Sequence, residues 1–505
     1  MKTLLLAMLA LPLCCLGQVT FQANYNATDF NTNDNGEFVV ATPDGFLLKA
    51  SVLCPDFANN TYYFCTSLIK ADTLGAEQWK RTYDAHPSSF AIYKILLMPS
   101  GEFIACGGKG NIPHLMKFSG SGDTLWYKTY ADPGKSSATD LKVLGNGKII
   151  LRGYGKLPQQ NQYIWVMQVS ETGEKEWDTV VEIDPDSFIG GRGVEVLPNG
   201  DLAFGYRTFP PVGSENTLSL TRTDSVGNVK WTRHYYTNDN NDCTSNMTPL
   251  LNGGFALSFC IDTTTTGGQF GNPPKLYGTD GEGNLVWQTT LVGPYLQKLS
   301  SIRTASNGDI IGCGTRYIDD IGTYAYLFRM DQDGHLLWQR AVEPDSPVPG
   351  EPSCVVNDLA ETPDGGIAVV GIIEDTLAGG AVTGDVWLLK LDGDGCLTPG
   401  CTDEVISASV ERRGGILEST REVFFHLSPN PAAEEARLSL HNPAPAGAEV
   451  TVHSAQGLPL ARQAVQPGSQ SAAIDLGGWP AGLYLVTYRV AGRALQTARL
   501  VKMSW

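Results

Sequence analysis

The stretch Ala325-Tyr326-Leu327-Phe328-Arg329-Met330-Asp331-Gln332-Asp333-Gly334-His335-Leu336-Leu337-Trp338 holds the pattern that decides the fold. An apolar run ends in Asp-x-x-Gly, and Trp follows four residues after the Gly. The run has the composition of a strand, and the Asp and Gly have that of a tight turn. The same Gly-to-Trp spacing recurs at Gly75/Trp79, Gly122/Trp126, Gly173/Trp177, Gly227/Trp231 and Gly283/Trp287. Asp also stands three before the Gly at Asp72, Asp224 and Asp280. A seventh unit has Asp392 and Gly395, with Pro399 where Trp is expected.

A second turn alternates with the first. It reads Pro43-Asp44-Gly45, Pro99-Ser100-Gly101, Gly145-Asn146-Gly147, Pro198-Asn199-Gly200, Leu251-Asn252-Gly253, Ser306-Asn307-Gly308 and Pro363-Asp364-Gly365. Its glycines are spaced by 56, 46, 53, 53, 55 and 57 residues. Asn-Gly and Asp-Gly admit the positive φ of a tight hairpin, and β-rich runs such as Ile367-Ala368-Val369-Val370 follow. Each unit therefore offers four strands. One such sheet cannot bury both its faces, so the seven units predict an all-β chain with a seven-bladed β-propeller over 18–403. A β-solenoid, the alternative, has shorter rungs and no Trp per unit. Trp79, Trp126, Trp177, Trp231, Trp287 and Trp338 read as packing wedges between blades. Val19 to Tyr25 resembles the outer segments Trp79 to Tyr83 and Trp126 to Tyr130. It is expected to close the ring as the missing outer strand of the last blade and so to cover two sheet edges.

The repeat resembles quinoprotein-like and delta-60-type propeller repeats, which carry a similar Asp-x-x-Gly or Gly-to-Trp turn. It differs from the sialidase Asp-box, where Asp stands two before the Gly. A quinone dehydrogenase reading fails on the cysteines, because the one adjacent pair, Cys14-Cys15, lies in the leader.

The leader is the apolar run Leu4 to Leu13 after Lys2, with small residues before Gln18, and residues 1–17 read as a secretory signal peptide. No stretch is long and apolar enough to span a bilayer. The chain has 505 residues and a net charge of −17. Residues 420–505 hold seven Lys/Arg against five Asp/Glu and the leader adds one Lys, so 18–419 carries −20. This balance excludes nucleic acid as a partner.

Residues 404–423 lack periodicity and read as a linker. Then Pro429-Asn430-Pro431 opens a block of short strands and turns with Gly457, Asp475-Leu476, Gly482-Leu483-Tyr484 and Lys502. The spacing predicts a small immunoglobulin-like β-sandwich over 424–505. Those five features resemble the C-terminal (type A) sorting domain of the Bacteroidota type IX secretion system. The resemblance implies partners in that machinery and in its sortase-like peptidase. It also implies passage through the periplasm, with the cargo released or attached to the outer surface.

Chemistry-bearing motifs are scarce. There is no Gly-x-Ser-x-Gly elbow and no phosphate-binding loop, and the seven histidines are scattered. Asp331 to Gly334 and Asp392 to Gly395 resemble the start of a calcium loop but lack its Glu at position twelve. They read as solvated turns, with weak calcium binding as the alternative, and no other cofactor is implied. Export makes disulfides expected at Cys54–Cys65, Cys243–Cys260 and Cys396–Cys401. Cys106, Cys313 and Cys354 are left over.

Both turns of a blade fall on one propeller face, so the longer connections lie on the other, where ligand sites are usual. Many of those connections are acidic, including Asp132, Asp184, Asp186, Asp239, Asp242, Asp319, Asp320, Asp345 and Glu351. With no catalytic signature, the sequence favours a binding or adhesion module for glycan or protein. A glycan-active hydrolase or lyase and a surface-layer component are the alternatives. Paired carboxylates at the axial end of the loop face would mark the hydrolase.

Overall fold

The structure, a computed structural model, describes residues 18–503 apart from 28–33, 57–58, 60, 84–88, 132–133, 157–161, 182–187, 192, 210–216, 237–245, 260–273, 292–295, 319–321, 345–352, 377–381, 398–400, 402–408, 413–424, 431, 441, 455–458 and 491–492. Two compact units result, Met1–Gly414 and Gly415–Trp505.

The first unit is a cycle of antiparallel sheets, seven among the described residues. In the first, the strands run Asn35–Thr42, Gly45–Asp56, Thr61–Ala71 and Glu77–Tyr83, each paired with the next. The inner strands of the others are Phe90–Leu97, Lys135–Val143, the broken Phe188–Gly190 and Val194–Val196, Asn246–Pro249, Leu296–Thr304 and Cys354–Glu361. Each sheet touches the next, and Asn35–Thr42 touches the last. The contacts close on themselves, which is the arrangement of a β-propeller, with the sheets as its blades.

The Asp of Asp-x-x-Gly has a local task. Asp331 Oδ1 accepts the amides of Asp333 (2.9 Å) and His335 (2.8 Å), and Asp72 Oδ1 accepts those of Leu74 (2.8 Å) and Ala76 (2.9 Å). Where Ser replaces Asp, its hydroxyl does the same: Ser119 Oγ accepts the Asp123 amide at 3.1 Å and Ser170 Oγ the Glu174 amide at 3.1 Å. This is the side-chain-to-backbone bonding that favours Asp and Ser in turns.

The Gly is required twice over. Gly334 has φ +81, and a Cβ there would lie 2.6 Å from the Trp287 ring on the preceding blade. At Gly75 (φ +85) the intruding ring, 2.5 Å from such a Cβ, belongs to Phe21. Phe21 lies on Phe21–Tyr25, which pairs antiparallel with Val386–Lys390 and forms the outer strand of the seventh blade. The N-terminal segment thus takes the place its likeness to the other outer strands assigns it, with Phe21 standing where the others have Trp. Four residues on, Tyr25 donates to Gly75 O at 2.7 Å. Tyr83 to Gly122 (2.7 Å), Tyr130 to Gly173 (3.0 Å) and Tyr235 to Gly283 (2.6 Å) repeat that bond.

Part of the expected linker is a strand. Ser409–Arg412 pairs antiparallel with Leu285–Thr290 and adds a fifth strand to the fifth blade. An outer strand presents a row of unpaired backbone groups. Backbone pairing needs no side-chain periodicity, so the segment carried no signal of it.

Inside the second blade, His114 is fully buried, stacked on Phe90 (4.6 Å between ring centroids) and near Tyr127 (5.3 Å). Among the described residues neither ring nitrogen has a hydrogen-bond partner. Burial, assisted by the Lys109 charge, pushes its pKa down from 6.5 to about 3. The unfolded chain binds a proton below pH 6.5 that the folded one refuses. Stability therefore falls, by a few kcal/mol in all, as pH drops from 6.5 towards 3. Comparing urea midpoints of the native chain and His114→Phe across that range checks this. The variant should show a shallower acid decline.

The second unit packs Phe425–Ser428, Glu435–Leu440 and Ser471–Asp475 in one sheet. Pro459–Ala464, Ala448–Ser454, Gly482–Val490 and Arg493–Lys502 form the other. Phe425, Leu438, Ile474, Val450, Val486 and Tyr488 contribute to one shared core.

Candidate functional site

Five inner strands carry the same irregularity. The pairing register slips between Gly36 and Phe38, Ile92 and Lys94, Ala138 and Asp140, Leu299 and Ser301, and Val356 and Asp358. The residue left over at each slip is Glu37, Tyr93, Thr139, Ser300 or Asn357, always eight before the turn glycine. A β-bulge re-aims the side chain it frees, and here all five line the space on the propeller axis. Arg192 and Ser245, eight before the turn glycine in the fourth and fifth blades, lie outside the described residues.

The wider part of this space is a cavity of about 630 Å³. Its wall draws on the starts of inner strands, on the end of Gly45–Asp56 and on the start of Thr61–Ala71. These are the strand ends remote from the repeated turns, so the cavity belongs to the loop-bearing end. Its volume falls within the roughly 300–1,000 Å³ of small-ligand sites.

Among the polar groups of the wall amides and hydroxyls prevail, set between apolar residues such as Val52, Leu53, Phe64 and Phe90. Asn357 donates to Asn35 Oδ1 and Gly36 O, both at 2.8 Å, and Asn246 donates to Ser300 O at 2.8 Å. Among the described residues the Ser300 hydroxyl has no partner. Among the described residues Glu37 is the one carboxylate on the wide part, and Lys49 holds it at 2.5 Å. Lys49 also donates to Ser51 at 2.8 Å.

The narrow part is a floor of buried charge. Asp140 faces Lys94 at 3.8 Å and accepts the Val194 amide at 2.9 Å. Asp358 takes Arg303 at 2.7 Å, the Ser301 hydroxyl at 2.8 Å and the Val39 amide at 3.3 Å. The Phe38 ring lies near both cations, 4.9 Å from Lys94 Nζ and 5.3 Å from the Arg303 guanidinium. Burial lowers the Lys94 pKa, against the pull of Asp140. Both aspartates are only 6–7% exposed and join neighbouring blades.

The loop acids Asp132, Asp184, Asp186, Asp239, Asp242, Asp319, Asp320, Asp345 and Glu351 lie outside the described residues. Asp331, Asp333 and His335 do converge, with ligand atoms within 4.8 Å of one another. Asp331, however, already caps its own turn and pairs with His335 at 2.8 Å.

The six tryptophans sit on outer strands, not at the axis. Trp79, Trp126, Trp231, Trp287 and Trp338 lie against Gly122, Gly173, Gly283, Gly334 and Gly395 of the following blade. Trp177 packs at the third and fourth blades, where Thr179 meets Gly227.

Cys54–Cys65 and Cys396–Cys401 are disulfides, while Cys243 and Cys260 lie outside the described residues. Cys106, Cys313 and Cys354 are buried. Non-reducing peptide mapping should return the 54–65 and 396–401 links, and alkylated thiols at those positions would contradict them.

In the second unit, Asn430 Oδ1 accepts the Val501 amide at 2.9 Å and Lys502 donates to Leu476 O. Asp475 caps Gly477 at 2.8 Å, and the buried Tyr484 donates to Pro480 O at 2.5 Å. Pro429 and Gly482 are exposed. Pro431, Gly457 and the Leu483 side chain lie outside the described residues. The entry turn and the last strand are thereby fastened together, with Asp475-Leu476 beside them.

No curated protein sequence matches the chain. Among solved structures it is similar to the β-propeller domain of the Trilobed protease from Pyrococcus furiosus, described as having an open velcro topology. That match has 9% identity, a TM-score of 0.38, and covers 72% of this chain and 96% of that one. It is also similar to Drosophila Semaphorin 2a, with 10% identity, a TM-score of 0.39, and coverage of 95% and 99%. A third is the Penicillium chrysogenum alpha-L-arabinanase complexed with arabinobiose, with 13% identity, a TM-score of 0.37, and coverage of 61% and 94%. No helix among the described residues is long and apolar enough to cross a membrane. Residues 426–503 match the family described as the secretion system C-terminal sorting domain, so the chain carries a type IX sorting tail behind its propeller.

Proposed function

We propose that the chain is an exported cargo whose propeller is a non-catalytic binding module for glycan or protein, with the ligand seated in the axial cavity. Residues 1–17 are the leader that delivers it to the periplasm, and the sorting tail carries it to the cell surface or beyond. The observation that carries the reading is the cavity itself. It is built from bulged residues of several blades and carries amides and hydroxyls on its wall, and among the described residues Lys49 occupies its one carboxylate. Hydrolysis of a glycosidic bond uses two carboxyl groups flanking the bond. Here Asp140 and Asp358 lie in the narrow floor, tied to Lys94 and Arg303. Such a site is suited to holding a ligand rather than transforming it.

A combined retention and turnover screen of the full chain on polysaccharides and surface proteins tests this. Retention without turnover is the expected result. Turnover of any polysaccharide overturns the non-catalytic reading.

A further inference from the structure

The first blade is extended on the loop-bearing end. Its Gly45–Asp56 and Thr61–Ala71 strands are the longest neighbouring pair in the propeller, at 12 and 11 residues. On the second of these, Tyr62 and Phe64 are 63% and 60% exposed. They are two residues apart on a strand and share one face. Phe64 also lines the axial cavity. Cys65, on the opposite face and 1% exposed, bonds to Cys54 and ties the two strands together behind the aromatic pair. Large aromatic side chains left in water beside a cavity that carries amides and hydroxyls, on a stapled support, form a ready-made stacking surface.

The cavity below offers the complementary chemistry. Asn246 and Asn357 are each fixed through the amide nitrogen, and the structure records no bond to either Oδ1 among the described residues. Asn35 is fixed through its Oδ1, which leaves its Nδ2 as a donor. The Ser300 hydroxyl is unpartnered. A sugar hydroxyl donates and accepts at once, and such a mixed set matches it. A formally charged ligand finds little, because Glu37 and Lys49 already satisfy one another. The −20 carried by 18–419 also repels acidic polysaccharides at long range.

Building on the reading that the axial cavity is the ligand site, we infer that its ligand is the end of an uncharged carbohydrate chain. The terminal sugar meets the Asn35, Asn246, Asn357 and Ser300 groups, and the next sugars stack on Phe64 and Tyr62.

The test is isothermal titration of the full chain with two sets of short oligosaccharides, one neutral and one of uronates, and with a peptide library. The variants are the double Tyr62→Ala/Phe64→Ala, Ser300→Ala and Lys49→Met, each checked for an unchanged circular dichroism spectrum. The expected result is binding of neutral oligosaccharides only. The double variant should weaken it about tenfold or more, equivalent to about 1.4 kcal/mol, and Ser300→Ala by a smaller factor. Binding of uronates alone, lost in Lys49→Met, overturns the inference while keeping the cavity as the site. Binding of peptides alone, weakened by the same aromatic variant, does likewise. Binding of any probe that no variant weakens overturns the cavity reading as well.

Discussion

Deleting residues 18–27 lowers the thermal midpoint of the chain by at least about 10 °C and leaves the seventh blade open to proteolysis. The expectation follows from what this short segment does. Phe21–Tyr25 supplies the outer strand of the last blade, so its loss uncovers the backbone of Val386–Lys390. Phe21 fills the space over Gly75 and packs edge-on against Phe46, with 5.9 Å between ring centroids. Tyr25 is 5% exposed and donates to Gly75 O at 2.7 Å, and Ala27 is fully buried, its carbonyl taken by Ser67 at 3.0 Å. Truncating one buried aromatic to Ala costs about 3–5 kcal/mol, and at about 2.1 cal/mol/K of unfolding entropy per residue a domain of this size moves its midpoint by roughly 1 °C per kcal/mol. Tyr25→Ala alone should therefore shift it by about 5 °C. Tyr25→Phe, which removes only the hydrogen bond, should cost about 1 kcal/mol. Differential scanning calorimetry on the three variants checks the order. A deletion as stable as the native chain would mean that the ring does not depend on this strand.

Removing residues 424–505 leaves a folded propeller in the periplasm and abolishes its appearance in medium or on the cell surface. The two units have separate cores, so the propeller loses none of its own packing. What is lost is the sorting tail. Its matching residues are gathered by the bonds of Asn430 to Val501 and Lys502 to Leu476. Asn430→Ala with Lys502→Ala should therefore loosen the tail and reduce export, while leaving the propeller's midpoint unchanged. Fractionation with immunodetection reads both. Normal secretion of the 424–505 deletion would refute the role given to the tail.

The repeat was legible because its chemistry is local. Asp331 caps amides two and four residues on, and Gly334 needs positive φ within the same turn. Such requirements imprint one residue type at one spacing. The ring-closing strand was legible too, since Phe21 and Tyr25 repeat the aromatic spacing of Trp79 and Tyr83. The axial cavity was not. Glu37, Tyr93, Thr139, Ser300 and Asn357 share a place in the repeat but not a residue type. Their convergence is a product of the closed ring. Aligning the units on the turn glycine and reading eight residues back would have grouped them. The loop acids, which stand out in the sequence by their charge, lie outside the described residues. Lys94 and Arg303 were unreadable for a similar reason. Their partners Asp140 and Asp358 are 46 and 55 residues away, and only the pairing of neighbouring blades brings them together.

The proposed seat of the ligand is the axial cavity. Its most direct test is affinity electrophoresis of Ser300→Trp, through a gel containing the polysaccharide retained in the binding screen. Ser300 sits on a bulge facing the cavity, and an indole there obstructs it. Retardation should be lost while the thermal midpoint stays close to that of the native chain. Undiminished retardation of the variant would contradict that placement.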